Sequence, residues 1–385
     1  MNSSNQHQEI KNLAASVDHF TSSLFQEMVI GTNENVFMSP FSVATILSMV
    51  YLGAKQNSAE QLKNVLNVTS TPNDLALAYK KYFSVQKNSN EAHMSKSVNR
   101  LYVEDKFPIS ESYKHKISEY FFTDVKNVDF FKNAERIRID INKWVKNETY
   151  NKITDLLPSK SLSSDTVLLL VNAMHFEGMW AARFPERVTS SREFHLSSGK
   201  TVSCDSMFIS EDFNTKISQN YKAVELPYMG VKFSMFVILP NKMDGLAALE
   251  KEINAQFLKE TKERKGFERL ALELYLPKFH FQSAFELSDT LQKLGLSDIF
   301  DASKANLSGI SSEKDLYVSK FFHKTFIDVN EKGTDAHAAS GEVVIDPVSA
   351  QTGTKFDVNH PFIFLIADRR TELIYFIGKV TNPAA

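Results

Sequence analysis

A single cysteine, Cys204, stands among 385 residues, which excludes an intrachain disulfide and with it the class of small disulfide scaffolds. No stretch approaches the roughly 18 consecutive apolar residues of a membrane-spanning helix, so no membrane partner is expected. The N-terminal segment MNSSNQHQEIKNL has no apolar run to form a signal-peptide core; the chain is expected in the cytoplasm, or outside the cell if a leader has been removed. Charge of one sign is also lacking: 44 Lys and Arg against 46 Asp and Glu leave a formal −2, without attraction to nucleic acid or anionic lipid. Sequons at Asn2, Asn67, Asn147 and Asn306 would matter only in a secretory pathway.

Strong enzymatic signatures are missing too. There is no Gly-x-Ser-x-Gly elbow, His-Glu-x-x-His pair, phosphate loop, Gly-x-Gly-x-x-Gly turn or Cys-x-x-Cys pair. The ten His residues and many Ser and Asp could assemble a triad across the chain, but a triad is defined by geometry. The expectation is a protein that is not an enzyme and uses neither metal nor cofactor. No Pro, Gly or Ser-rich linker and no internal repeat divides the chain, so residues 1–385 read as one domain.

What is present is an ordinary globular composition, 43% hydrophobic, with helical and strand patterns in irregular alternation. Ile10, Leu13, Val17, Phe20, Leu24 and Met28 recur three and four apart, the stripe of an amphipathic helix over 8–29. In NVFMSPFSVATILSMVYLGA, Pro40 after Ser39 marks a helix start, and the run beyond it is apolar nearly all round, as in a buried helix. NAERIRIDINKWVKNETY reads as helix; DTVLLLVNAMHF, KFSMFVILP and RLALELYLPKFHF read as strand. The C-terminus predicts two buried strands, Phe362 to Ile366 and Leu373 to Val380, joined by a charged hairpin turn. The class is α+β.

Four polar residues sit where apolar ones would be expected. Ser39 and Ser42 lie at the mouth of the second helix, and Asn172 and His323 each interrupt a run that reads as buried strand. They are either separate capping and structural residues or one buried polar network, which is costly when half satisfied.

Over almost its whole length the chain resembles the serpin family, through NVFMSPFSVATILSMVYLGAKQNSAEQL, LVNAMHFEGMWAARF, LPKF, HKTFIDVNEKGTDAHAAS and HPFIFLIADRRTELIYFIGKV, in the family's order. The resemblance implies three β-sheets, eight or nine α-helices and an exposed reactive centre loop, with strand insertion of that loop into the main sheet. It implies that Ser39, Ser42, Asn172 and His323 form the shutter holding the main sheet closed. It also implies that Trp180, Lys278 and Glu331 form the breach, with Lys278 paired to Glu331 at the base of the loop.

The hinge and loop would be 331–356, EKGTDAHAASGEVVIDPVSAQTGTKF. Gly333 suits a backbone that must swing from turn to strand. In an inserted strand Thr334, Ala336, Ala338 and Ser340 would face one side and Asp335, His337, Ala339 and Gly341 the other. The first set is small throughout, as a face sliding over a packed core requires; the second carries the charge and bulk. Two residues depart from the family's pattern: His337, where a small residue is usual, and Glu342, which shares the inward parity.

Seventeen residues counted from Glu331 end at Pro347, a poor neighbour for cleavage on either side, which disfavours Asp346–Pro347 and Pro347–Val348. The reactive bond is therefore expected at Val348–Ser349, suited to an elastase-like serine peptidase. The alternative is Ser349–Ala350, with Val348 in the pocket of a papain-like or cathepsin L-like cysteine peptidase, which would make the protein a cross-class inhibitor. No Arg or Lys lies between Gly333 and Thr354, which argues against trypsin-like targets. The implied partner is a peptidase held as a covalent acyl complex by a monomeric suicide substrate. A glycosaminoglycan is not expected, because Lys80, Lys81 and Lys87 form only a sparse patch. The rival reading is a noninhibitory serpin acting as carrier, chaperone or storage protein.

Overall fold

The computed structural model describes residues 3–87, 95–334 and 353–385, and among these places nine α-helices and sixteen β-strands. The opening helix, Ser3–Val29, matches the predicted stripe: Leu13, Val17, Phe20 and Leu24 are buried. The apolar second segment is the helix Pro40–Gly53, buried at every residue. Ser39 caps it, its hydroxyl oxygen accepting the Ser42 N–H at 3.3 Å, while Pro40 occupies the first turn, where a missing N–H costs little.

Packing gathers the chain into two compact units, the first from Met1–Met28, Met38–His175 and Ser283–Thr325, the second from Val29–Phe37, Phe176–Gln282 and Phe326–Ala385. In the first unit Pro40–Gly53 packs against the helices Gln56–Val65, Pro72–Lys87 and Glu111–Phe121. Phe41, Tyr79, Tyr82 and Phe121 interlock there, with Phe41 to Tyr82 at 5.3 Å and Tyr79 to Phe121 at 5.4 Å between ring centroids. The helix Phe130–Glu148 begins where the buried Glu104 carboxylate accepts the N–H groups of Phe130 and Phe131 at 2.7 and 3.1 Å, an anion at a helix N-terminus. Farther along that helix, the Arg100 guanidinium lies 3.7 Å from the Trp144 ring.

The main sheet has the strand order Val125–Val128, Ser95–Glu104, Leu168–Phe176, Val318–Asn330, Gly333–Thr334 and Gly178–Met179, with Phe279–Glu286 also on Val318–Asn330. The nine-stranded network of the second unit runs Val36–Met38, Ile374–Val380, Phe362–Asp368, Phe233–Pro240, Tyr221–Pro227, Thr201–Ile217, Glu268–Pro277 and Thr354–Asp357, with Ser190–His195 added on Thr201–Ile217. Thr201–Ile217 is long enough to join what would otherwise be separate sheets. Residues 201–206 pair with Ser190–His195, 206–215 with Glu268–Pro277, and 215–217 with Tyr221–Pro227.

The predicted C-terminal hairpin is present as Phe362–Asp368 and Ile374–Val380, both buried throughout. The run RLALELYLPKFHF is two strands, Glu268–Pro277 and Phe279–Glu286, parted at Lys278. No helix among the described residues is long and apolar enough to cross a membrane. The Lys80 ammonium is 2.7 Å from Glu119 and Lys81 pairs with Glu9, so these two cations are already matched by carboxylates. The Lys87 side chain lies outside the described residues.

Candidate functional site

Two clusters hold the residues singled out above. In the first unit, Ser39, Ser42, Asn172 and His323 meet in one network, each with no solvent exposure. Asn172 sits on the strand Leu168–Phe176 and His323 on its neighbour Val318–Asn330, where alternation would otherwise place apolar side chains.

The Ser39 backbone N–H can only donate, and it donates to His323 Nε2 at 3.1 Å. The ring proton therefore sits on Nδ1 and is donated to Asn172 Oδ1. That in turn directs the Asn172 amide group to the Ser42 hydroxyl, to Asn99 Oδ1 and, at 3.2 Å, to the Ser42 carbonyl. Ser97 closes the cluster, 2.9 Å from the Ser42 hydroxyl and 2.8 Å from Asn99 Nδ2, and the Ser39 hydroxyl reaches Met174 Sδ at 2.9 Å. Of the two readings, the single network is the one the geometry shows, and Ser39 caps the helix as a member of it. Asn99 and Ser97 were not singled out from sequence, although Asn99 interrupts a strand run as Asn172 does.

This imidazole is not a general base. Burial pushes its pKa down to about 3, and a proton on Nε2 would break the bond from Ser39. Burial, and then the charges of Lys152 and Lys96, lower His175 to about 4. The unfolded chain, with histidines near 6.5, thus binds more protons than the folded one as pH falls below that value, so stability rises with pH across this window. His323 alone should cost about 2 kcal/mol by about pH 5, with His175 adding in the same direction. Thermal melts between about pH 7 and 5 should show a falling midpoint; a flat profile would contradict the neutral, buried assignment.

The second cluster lies in the second unit at the end of the strand Val318–Asn330. The Lys278 ammonium is 3.1 Å from one Glu331 carboxylate oxygen and 3.2 Å from the other, and the Thr189 hydroxyl donates to the carboxylate at 2.8 Å. Burial raises the Glu331 pKa, but its own backbone N–H, Thr189 and Lys278 outweigh that and hold it below the usual range. Trp180 is buried and stacked on Tyr228 at 4.6 Å, its indole N–H donating to the Asn330 carbonyl at 2.9 Å. A polar cleft of about 530 Å³ opens beside the pair, lined in part by Glu186, Ser191, Asp205 and Lys332.

Gly333 and Thr334 come directly after and form a strand between two others: Val329 pairs with Thr334 and Asn330 with Gly333 on one side, Gly178 with Thr334 and Met179 with Gly333 on the other. Thr334 is fully buried, its hydroxyl 2.7 Å from that of Tyr228. Tyr228 gave no sign in the sequence. Gly333 has φ +155°, and a Cβ there would meet the Gly178 carbonyl oxygen at 1.9 Å. Gly333→Ala should expel this short strand and destabilise the uncleaved chain by about 2 kcal/mol, measured by denaturant unfolding. An unchanged midpoint would show that the close approach can be relieved. Asp335, Ala336, His337, Ala338, Ala339 and Ser340, and Asp346, Pro347, Val348, Ser349 and Ala350, lie outside the described residues.

The short strand Gly333–Thr334 held between two others, and the buried polar network tying Leu168–Phe176 to Val318–Asn330, are the features to set beside known proteins. The chain belongs to the serpin family: Serpin (serine protease inhibitor) matches residues 15–383. It is 34% identical to human Serpin B4 over 381 residues, covering 94% of this chain and 97% of that one. It is 35% identical over 355 residues to mouse leukocyte elastase inhibitor A, covering 91% and 93%. Among solved structures it is similar to Serpin48, a highly specific serpin in the insect Tenebrio molitor, with TM-score 0.85, 32% identity and 97% and 98% coverage. The fold is the serpin fold. Membership of this family makes the chain a protein without catalytic activity of its own and implies a protease as its partner.

Proposed function

We propose that the chain is a suicide-substrate peptidase inhibitor, with 331–356 as hinge and reactive loop. The observation that carries this reading is the seat of Gly333–Thr334, hydrogen-bonded on both edges between Val318–Asn330 and Gly178–Met179. Further insertion would continue that strand by parting Leu168–Phe176 from Val318–Asn330, its neighbour in the sheet. The small inward set Ala336, Ala338 and Ser340 continues the parity of the buried Thr334.

In this mechanism the serine hydroxyl of the peptidase attacks the Val348 carbonyl carbon and the Val348–Ser349 bond breaks. The Ser349 nitrogen leaves as an amine with a proton from the enzyme's base, and Val348 remains as an ester on the enzyme. The freed strand then enters between Leu168–Phe176 and Val318–Asn330 and carries the ester with it before water can hydrolyse it. Insertion parts the Asn172–His323 bond, giving Ser39, Ser42, Asn172 and His323 the role of shutter. Lys278–Glu331 beside Trp180 is the gate at the breach; such a pair sets specificity of conformation more than stability. The inhibitor acts as a monomer.

Val348 supports an elastase-like serine peptidase as target, as does the similarity to a protein named leukocyte elastase inhibitor A. A cathepsin L-like cysteine peptidase cutting at Ser349–Ala350 is the other target the sequence supports. Incubation with one enzyme of each kind should give an SDS-resistant complex and a released C-terminal peptide beginning at Ser349 or Ala350. Cleavage without complex by both enzymes would favour the noninhibitory carrier, chaperone or storage role. A cut outside Asp346 to Gln351 would refute the loop register.

A further inference from the structure

From Val348 to Thr354 the loop reads VSAQTGT, with neither a charge nor an aromatic ring. On the C-terminal side of the proposed bond, recognition through the loop alone would therefore rest on small polar groups. The first charged and aromatic residues after it are Lys355, Phe356 and Asp357, on the described strand Thr354–Asp357. That strand pairs in parallel with Glu268–Pro277, setting Lys355 beside Glu273 and Asp357 beside Tyr275, while Tyr275 pairs on its other side with Phe208.

These residues form a prepared surface. The Tyr275 and Phe208 rings are 4.7 Å apart and both part-exposed. The Arg192 guanidinium lies 4.1 Å from the Tyr275 ring and 2.8 Å from the Asp357 carboxylate. Lys355 shares that carboxylate at 2.9 Å and is 5.5 Å from the same ring. Arg192 and Lys355 keep 32% and 58% of their side-chain surface open to solvent. Tyr and Arg, held by stacking and one shared carboxylate, lose little rotamer freedom when a partner arrives, and these are the residue types that dominate interface energies.

We propose that the Phe208–Tyr275 platform, framed by Arg192 and Lys355, is an exosite for the target peptidase. It takes an apolar contact on Tyr275 and a carboxylate of the enzyme on the two cations. This rests on the inhibitory reading, because the loop supplies the occupant. Lys355 lies six positions after Ser349, a span of at most about 20 Å. A standard interface covers about 800 Å² per partner, a patch roughly 32 Å across, so one such patch can span both the reactive bond and the platform.

The test measures the second-order rate of complex formation with an elastase-like serine peptidase, and the moles of inhibitor consumed per mole of enzyme, at low and high salt. Arg192→Glu with Lys355→Glu, and separately Tyr275→Ala, should each slow association about tenfold or more. The consumption ratio and the gain in melting temperature on loop cleavage should stay at the wild-type values, which also shows that the variants fold. High salt should slow the wild type and narrow its gap from the charge-reversed variant. Equal rates for wild type and both variants would overturn the exosite while leaving inhibition standing. No complex from the wild type would overturn both.

Discussion

Cleaving the loop between Asp346 and Gln351 should raise the melting temperature of the protein by about 12 °C. That rise comes from about a dozen backbone hydrogen bonds gained by the inserting strand, each worth about 1 kcal/mol net, for a total on the order of 10 kcal/mol. For a chain of 385 residues the unfolding entropy is about 0.8 kcal/mol per degree, which converts that free energy into a shift of this size. Such a gain rivals the whole stability of an ordinary domain. The measurement compares scanning calorimetry of the intact chain with that of chain nicked by an enzyme that forms no complex. An unchanged midpoint after complete nicking would remove insertion, and with it the proposed inhibition. The buried two-edged seat of Gly333–Thr334 is the reason to expect the rise.

Asn172→Ala should destabilise the uncleaved chain by about 4 kcal/mol, close to 5 °C by the same entropy. The change leaves the His323 Nδ1–H and Asn99 Oδ1 without their amide partner in a site sealed from water, at about 1–3 kcal/mol each, and opens a small cavity besides. The Ser42 hydroxyl keeps Ser97 and suffers less. Asn172→Leu separates the two costs, since it fills the space but pairs nothing. If the loss came from volume, leucine would recover most of it; if it came from unmet hydrogen bonds, leucine would be as damaging as alanine. Denaturant midpoints of both variants decide between them.

The legible parts of the fold were those written in long periodic runs. The stripe of Ser3–Val29, the mostly apolar Pro40–Gly53 and the C-terminal hairpin are each set by burial on one or all faces, which a sequence displays directly. Thr201–Ile217 was not legible as one strand of 17 residues, because it changes partners along its length and its exposed positions mix Thr, Ser and Asp with Ile217. The polar network was half legible: a Ser, an Asn and a His interrupting apolar runs announce themselves, but that they touch is a matter of strand register. Thr334 on Tyr228 was not legible at all, since it joins residues 106 positions apart and neither is unusual where it stands. Lys278 with Glu331 came only through the family resemblance, and no spacing would have suggested it.

The seat of Gly333–Thr334 also bears on how fast insertion can run. Starting a strand between two others is the slow step of any sheet addition, because ordering the first residues costs chain entropy before hydrogen bonds repay it. Here that nucleus exists before any cut is made, with Thr334 buried and paired on both edges. Under the proposed mechanism, cleavage therefore leads straight into propagation, one residue pair after another, with no search for the starting register. Its pace is then set by the seam ahead, where His323 and Asn172 must let go, and against that clock the peptidase has to hydrolyse its ester.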